Sequence, residues 1–426
     1  MRMKSLNCMK HASVLAAVAL PILVASAAHA APCADLTNPV YVYGSTASRP
    51  FVAQAALSLA KAEPPVSIVY IGAGSQNGVN ALASDAKVAP PSSASVPHYW
   101  PANNTAGLDC ELPTDGQGVR IDIGVSDAFD TSFGDAPLPN TVKDYFGPIQ
   151  AMTFVVPTAS SQTSISAEAA YLTWGFDEGG GETPWDVTAF RYHRSNTSGT
   201  KVLIAKAINV PVAKWKGVNC ETPTGGTSCT SFGSGDVLNK VINSSEPDKT
   251  IGILSTDVAD GNITVSGSSV SARTKLRILA YQHYGQSCGY LPDSTSTSYD
   301  KQNVRDGHYE IWGPLHFFAR TSDGEPENEH IGAAIQVLTG EGNDEERAAF
   351  VDLAAKGHVV PDCAMRVRRE TELGPLSSYM PARSCECRFI AQATGEASPE
   401  GCTKCDDSSD CSGDKPVCNY GFCEVR

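Results

Sequence analysis

From Val40 onward, short apolar runs alternate with helical patterns. Val40–Tyr43 predicts a strand that stops at Gly44. Pro50–Ala62 predicts a helix, with Phe51, Ala55, Leu57 and Leu59 as its apolar positions and Pro50 suited to a first turn. Val66–Ile71 is a β-branched strand closing on the glycine loop Gly72–Gly78, after which Val79–Ala86 is helical again. Strand, glycine loop and helix in repetition is the rhythm of an α/β domain with a parallel core. Residues 88–118 break it with Pro, Ser and Asn and read as a long surface insertion. Further strands are predicted at Val119–Val125, Ala151–Val156, Val187–His193, Ile251–Leu254, Leu276–Tyr281 and His308–Phe318. Helices are predicted at Ser166–Trp174, with Ser166 as cap, and at Lys201–Ile208 and Asp344–Lys356.

The first thirty residues carry a different signal. Arg2, Lys4 and Lys10 precede the apolar stretch Val14–Val24, and Ala28-His29-Ala30 reads as a small-residue cleavage site. The apolar stretch is shorter than the ~20 residues a membrane helix needs, and no second such run follows. Residues 1–30 are therefore expected to be a signal peptide, and the mature protein to be periplasmic or secreted, from a Gram-negative bacterium, without a membrane span.

Composition narrows the class. The 426 residues are 42% hydrophobic and only 18% charged, too apolar for a disordered chain. A net charge of -14, more negative once the leader's three cations are gone, excludes nonspecific nucleic-acid binding. Fourteen cysteines argue against a reducing compartment. Cys220 and Cys229 flank a Gly/Ser/Thr-rich loop and are expected to close it as a disulfide. Beyond about Pro381 the composition shifts again: seven cysteines fall within 42 residues, with little aliphatic material. Cys402, Cys405, Cys411, Cys418 and Cys423 are the disulfide candidates of what reads as a separate, stapled module. The Cys-x-x-Cys at Cys402 and Cys405 is also a zinc spacing, but an exported chain favours disulfides. Connectivity cannot be read from spacing, and one cysteine of the mature chain is left over.

Three segments share one design: Gly44-Ser45-Thr46-Ala47-Ser48, Gly72–Gly78 and Ser198-Gly199-Thr200 each join a strand to a helix through small or hydroxyl residues. A helix N-terminus presents amides without partners and a positive dipole end, so each loop can bind an oxyanion. Arg194, four residues before Ser198, adds a bidentate partner for a tetrahedral oxyanion. Asp127 at a strand end is the odd member. An acid repels an anion unless the ligand brings a proton, which is what separates hydrogen phosphate from sulfate.

These motifs resemble those of the periplasmic phosphate-binding proteins of ABC-type phosphate importers, in the type II periplasmic binding protein superfamily. Arg194-x-x-x-Ser198-Gly199-Thr200 is similar to that family's phosphate loop, Gly124-Val125-Ser126-Asp127 to its Gly-x-Ser-Asp segment, and Gly74–Gly78 to its Gly-Ser-x-x-Gly turn. Val304–Tyr309 and Trp312–Leu315 resemble its late returning strand, so the likeness spans about Val40 to Phe350. The resemblance implies a two-lobed α/β fold with phosphate in the interlobe cleft. It places Ser48 and the backbone of Arg49 at the first loop and makes Ser75 a donor. Asp127 becomes the acceptor of the ligand proton, Arg194 the ion-pair partner, and Ser198, Gly199 and Thr200 donors at a helix start. In the first loop Arg49 replaces the family's aromatic residue, and the insertion and cysteine-rich tail are foreign to it.

The expected organisation is lobe I over 31–156 with the insertion 88–118, lobe II over 157–282, a return to lobe I over 283–380, and the tail over 381–426. The chain is expected to cross between lobes near 155–157 and 280–284. The expected function is that of an exported phosphate-binding protein, monomeric and without a cofactor, serving an ABC permease. The alternative is a surface or adhesion protein on the same fold that has lost or changed its ligand. His-Glu-x-x-His and Walker patterns do not occur, Thr197-Ser198-Gly199-Thr200 is not a Gly-x-Ser-x-Gly elbow, and no enzyme is expected.

Overall fold

Most of the alternating and β-branched runs become strands of one twelve-stranded sheet in the computed structural model, which describes residues 30–89, 96–113, 117–134, 137–221 and 230–426; Val119–Arg120 and Ala280–Gln282 pair in small separate sheets, and Thr188–Phe190 is a 3-10 turn. The expected signal peptide lies outside the described residues except for Ala30. The strands that position the site are β1 (Pro39–Gly44), β2 (Ser67–Gly72), β3 (Ile123–Ser126), β4 (Val142–Pro157), β5 (Arg191–Tyr192), β6 (Ile251–Ser255), β7 (Leu276–Ile278) and β8 (Trp312–Ser322). The helices are α1 (Arg49–Leu59), α2 (Ser75–Ala83), α3 (Ala167–Gly175), α4 (Gly199–Ala207), α5 (Ser234–Ile242), α6 (Thr256–Asp260), α7 (Gln302–Arg305), α8 (Glu329–Thr339), α9 (Asp344–Lys356) and α10 (Glu386–Thr394).

Through the middle of the sheet the order is β2-β1-β3-β8-β4-β6-β5, with β7 pairing β4 besides. β1 runs parallel to β2 and β3, in register Val42↔Tyr70 and Val42↔Ile123, while β8 is antiparallel to both β3 and β4. In the other half β6 is antiparallel to β4 and parallel to β5. This mixed α/β sheet, divided about one long strand, is the two-lobed architecture the sequence suggests.

β4 is that strand. It pairs with β8 from Val142 to Ala151, then with β6 from Met152 to Val155. The chain thus enters the second half inside β4 rather than after it, and it returns at Ile311–Trp312, where Ile311 O accepts from Met152 N at 2.8 Å. The early half of β4 is hidden in the sequence by Gly147-Pro148, which reads as a break. In the fold those residues sit at a register shift between β4 and β8, and a Cβ on Gly147 would lie 2.4 Å from the Phe317 ring. The glycine marks a bulge that lets that ring pack. The strand expected from His308 begins only at Trp312, because Tyr309 N bonds back to Asn303 O and Trp312 N to Glu310 O.

Each half has its own apolar layers. Phe51, Phe317 and Phe350 pack where α1 and α9 meet the first half, with Phe51 and Phe350 edge-on at 6.2 Å. Trp174, Phe154, Leu203 and Ile253 lie in the core of the second. Ser166 caps α3 as expected, accepting from Ala169 N at 3.1 Å.

The insertion is more than a surface excursion. His98–Tyr99 and Leu108–Glu111 extend the sheet beyond β2, and Cys33–Cys110 ties them to the edge segment Ala31–Pro32. The tail is stapled by Cys387–Cys402, Cys405–Cys418 and Cys411–Cys423, so the sulfurs that could have bound zinc are spent on disulfides. It is not separate, however. Cys363–Cys385 anchors it, Cys385 and Phe389 are buried in the core of the second half, and Arg388 bonds Asp352 of α9 at 2.7 Å. All of Ala31–Arg426 forms one unit. Cys220 is disulfide-bonded, whereas Cys229 lies outside the described residues. Among the described residues Cys288 alone is a free thiol, and it is exposed. No helix among the described residues is long and apolar enough to cross a membrane.

The 293–301 segment is clamped by a buried quartet of charges. Lys301 Nζ donates to Asp260 Oδ2 at 2.6 Å and Asp293 Oδ1 at 2.9 Å, and Arg273 bonds the same two carboxylates.

Candidate functional site

In open α/β sheets ligands bind beyond the carboxyl ends of strands, where the order switches direction. β1 lies at such a point, between β2 and β3, and the loops after all three carry predicted residues: Ser48, Ser75 and Asp127. Facing them, the loop after β5 supplies Arg194 and Ser198, and the loop after β6 supplies Asp257. The N-termini of α1, α2 and α4 belong to this group of loops, as expected; those of α5 and α6 join them.

Asp127 sits at the centre, 1% exposed. Its Oδ2 accepts from Thr200 N at 3.2 Å and Thr200 Oγ1 at 3.3 Å, capping α4. Its Oδ1 is buried, and although the Ser45 hydroxyl is near, no hydrogen bond of normal geometry reaches it. Burial raises the carboxyl above the usual range, against the pull of Ser45, Arg194 and Thr200. Ser75 Oγ accepts from Asp127 N at 3.2 Å and Gly199 N at 3.1 Å, joining the second and third loops. A Cβ on Gly199 would fall 2.7 Å from Ser75 Oγ, so only glycine lets α4 approach this closely. Ser198 caps α4 with a long 3.5 Å bond from Lys201 N. Ser48 Oγ donates to Ser45 O at 3.2 Å rather than capping α1, and the Tyr70 hydroxyl donates to the same carbonyl.

Arg194 is 2% exposed and, among the described residues, has no carboxylate in direct contact. Its Nε donates to Phe232 O at 3.2 Å, while its terminal nitrogens donate to Ser234 Oγ at 2.5 Å and Thr46 Oγ1 at 2.6 Å. Ser234 N also donates to Thr46 Oγ1 at 3.1 Å, so the loop after β1 and the start of α5 are joined beside the guanidinium. Burial pulls the Arg194 pKa down, opposed chiefly by Asp127.

Of the predicted residues, Ser48, Ser75, Asp127, Arg194, Ser198, Gly199 and Thr200 gather here. The backbone of Arg49, the part expected here, opens α1 beside Ser48, while its side chain is exposed and lies over the Trp100 ring at 5.8 Å. Thr46, from the first of the three loops, joins the group, as do Tyr70, Ser234 and Asp257, which none of the three loops contains. For Asp257 a signal was present, since Ser255-Thr256-Asp257 follows a strand as the other loops do.

Asp257 is fully buried, with Gln150 Nε2 donating to Oδ2 at 3.0 Å and no bond to Oδ1. Burial, reinforced by the charge of Asp127 and opposed by Ser255 and Gln150, pushes it up to about 8, so it is neutral at pH 7. Raising the pH through about 8 would place a second negative charge in the site. Anion affinity measured by titration calorimetry is therefore expected to fall above pH 8, and Asp257→Asn to abolish that fall. The sign for stability follows from the same shift: between the unfolded value of 3.8 and about 8 the folded state binds the extra proton, so its contribution to stability declines as pH rises.

The chemistry available is that of a buried guanidinium, hydroxyls, helix amides and a buried carboxylate oxygen without a hydrogen bond of normal geometry. A mixed α/β sheet with a guanidinium, carboxylates and hydroxyls buried together at its strand ends is what fold and site define.

No family model matches the chain, and no curated protein matches it. Among solved structures it is similar to a candidate phosphate ABC transporter substrate-binding protein with bound phosphate from Clostridium perfringens, at 14% identity and a TM-score of 0.45, covering 76% of this chain and 99% of that one. An ABC-type phosphate transport receptor from Vibrio cholerae is similar at 12% identity and a TM-score of 0.40, covering 75% and 99%. The OxyR regulatory domain from Pseudomonas aeruginosa is similar at 8% identity and a TM-score of 0.37, covering 70% and 98%. The strand order, not these likenesses, defines the fold.

Proposed function

We propose that the protein is an exported solute-binding protein that holds phosphate, or a similar protonated oxyanion, in the interlobe cleft and serves an ABC-type permease. One observation supports this above the others: Asp127 Oδ1 is buried and unsatisfied beside a buried Arg194. An orphaned carboxylate oxygen inside a nest of donors is costly to keep. A ligand that is both an anion and a proton donor relieves it. Lobe closure about β4 and Ile311–Trp312 would desolvate the ligand. The lobes themselves we take to be the two halves of the sheet on either side of Ala151–Met152. Five disulfides among the described residues fit an oxidising compartment.

If Asp127 reads the ligand's proton, phosphate should be preferred over sulfate by about a hundredfold or more, since sulfate leaves two acceptors facing each other. Calorimetry with both anions tests this; equal affinities would remove the role from Asp127. Asp127→Asn should narrow the gap, because an amide can donate to sulfate.

A second reading has its own observation. Arg194 is engaged by Thr46, Ser234 and Phe232, and the first α4 amides by Ser75 and Asp127, so much of the site is satisfied from within. That suits a surface protein that kept the fold and lost its ligand. Phosphate released on denaturing the purified protein distinguishes the two: one equivalent supports the binder, and none, together with no binding in solution, supports the other.

A further inference from the structure

The cleft beside Arg194 is much larger than a tetrahedral oxyanion. It has a volume of about 660 Å³, inside the ~300–1,000 Å³ range of sites that enclose whole organic ligands. Thr46 and Ser234, the two hydroxyl residues that bond the Arg194 guanidinium, both line it, as does Asp257. The space therefore begins where the oxyanion site ends.

Its far wall is built by the insertion. His98–Tyr99 pairs with β2 in register His98↔Tyr70, which sets Trp100 against Tyr70 at 6.2 Å between ring centroids. His98 is fixed in turn, with Nδ1 2.7 Å from Asp109 Oδ1 and the ring edge-on to Trp100 at 4.9 Å. Cys33–Cys110 locks the strand that carries Asp109. Arg49 covers the Trp100 ring from the α1 side and also lines the cleft. The first-loop cation that left the oxyanion site thus forms part of a rigid aromatic and cationic wall.

We propose that the ligand is an organic phosphomonoester, its phosphoryl group at Arg194 and Asp127 and its organic group against the Arg49–Trp100 wall. This rests on the oxyanion reading above and adds the substrate class. The protonation logic selects the monoester. A singly protonated monoester, like hydrogen phosphate, keeps a P–OH to donate to Asp127 Oδ1, whereas a diester has none. The remaining oxygen carries the organic group out past Thr46 and Ser234.

The test is calorimetry of the purified protein with orthophosphate, glycerol phosphate, phenyl phosphate and a dialkyl phosphate. At least one monoester is expected to bind about tenfold or more tighter than orthophosphate, and the diester to bind at least about a hundredfold more weakly than that monoester. Orthophosphate matching or exceeding every monoester overturns the proposal and leaves the oxyanion site standing; a diester equal to the monoester also overturns it. Failure of orthophosphate and all esters to bind overturns the oxyanion reading itself. Trp100→Ala should lower the monoester's affinity about tenfold while orthophosphate changes by less than about twofold, the latter also reporting that the variant is folded.

Discussion

Arg194→Ala is expected to weaken phosphate binding by ~3–5 kcal/mol, between two and four decades in Kd, to the point where calorimetry shows no heat. Arg194 is the cation buried among the gathered loops, its side chain 2% exposed and held on both sides by hydroxyls rather than by a carboxylate. A guanidinium in that setting can turn two N–H groups to a tetrahedral oxyanion while Nε stays on Phe232 O. Long-range attraction cannot substitute for it, because the protein's net charge of -14 repels anions and salt screens what remains beyond about 8–10 Å. Arg194→Lys should recover part of the affinity, since an ammonium keeps the charge but not the fork. Phosphate binding to Arg194→Ala within about tenfold of the parent would remove Arg194 from the site. A melting curve of the variant separates lost binding from lost folding.

The second large effect concerns stability. Lys301→Met should cost ~3–5 kcal/mol, read as a lower midpoint of chemical denaturation, because it leaves Asp260 and Asp293 buried with only Arg273 to compensate two carboxylates. Lys301 is 1% exposed and Asp260 2%, so water cannot take over the lost contacts. Lys301 and Arg273 hold the Asp260 carboxyl below the usual range despite its burial. Its contribution is therefore present above the unfolded value of 3.8 and lost as pH falls below it. The parent should lose stability through that acid window more steeply than the variant. Equal slopes and a midpoint shift worth less than about 1 kcal/mol would show that the quartet contributes nothing.

Much of the frame was legible in the chain. α9 occupies Asp344–Lys356 as read, because Asn343 and Glu346 form a capping box before an amphipathic run. The glycine and serine loops led to the right strand ends, since a turn between strand and helix needs small residues whatever its purpose. Three things were not legible. Gly147-Pro148 concealed half of β4, because a bulge and a break share one local chemistry and only the Phe317 ring tells them apart. For Arg49 only the backbone had an expected place; where its long side chain lies, over Trp100 some fifty residues on, is set by a tertiary contact. The tail's poverty in aliphatic residues suggested independence. Poverty of core instead makes a segment borrow one, and Cys385 and Phe389 do so.

The continuity of β4 has a mechanical consequence. Two bodies joined by loops move as on a joint, with little restoring force until they touch. Here the connection is a strand bonded to β8 up to Ala151 and to β6 from Met152 on, with Met152 N tied to the returning chain at Ile311. Any change of angle between the two halves of the sheet must therefore bend a bonded ladder at Ala151–Met152, which resists as a leaf spring does and not as a free joint.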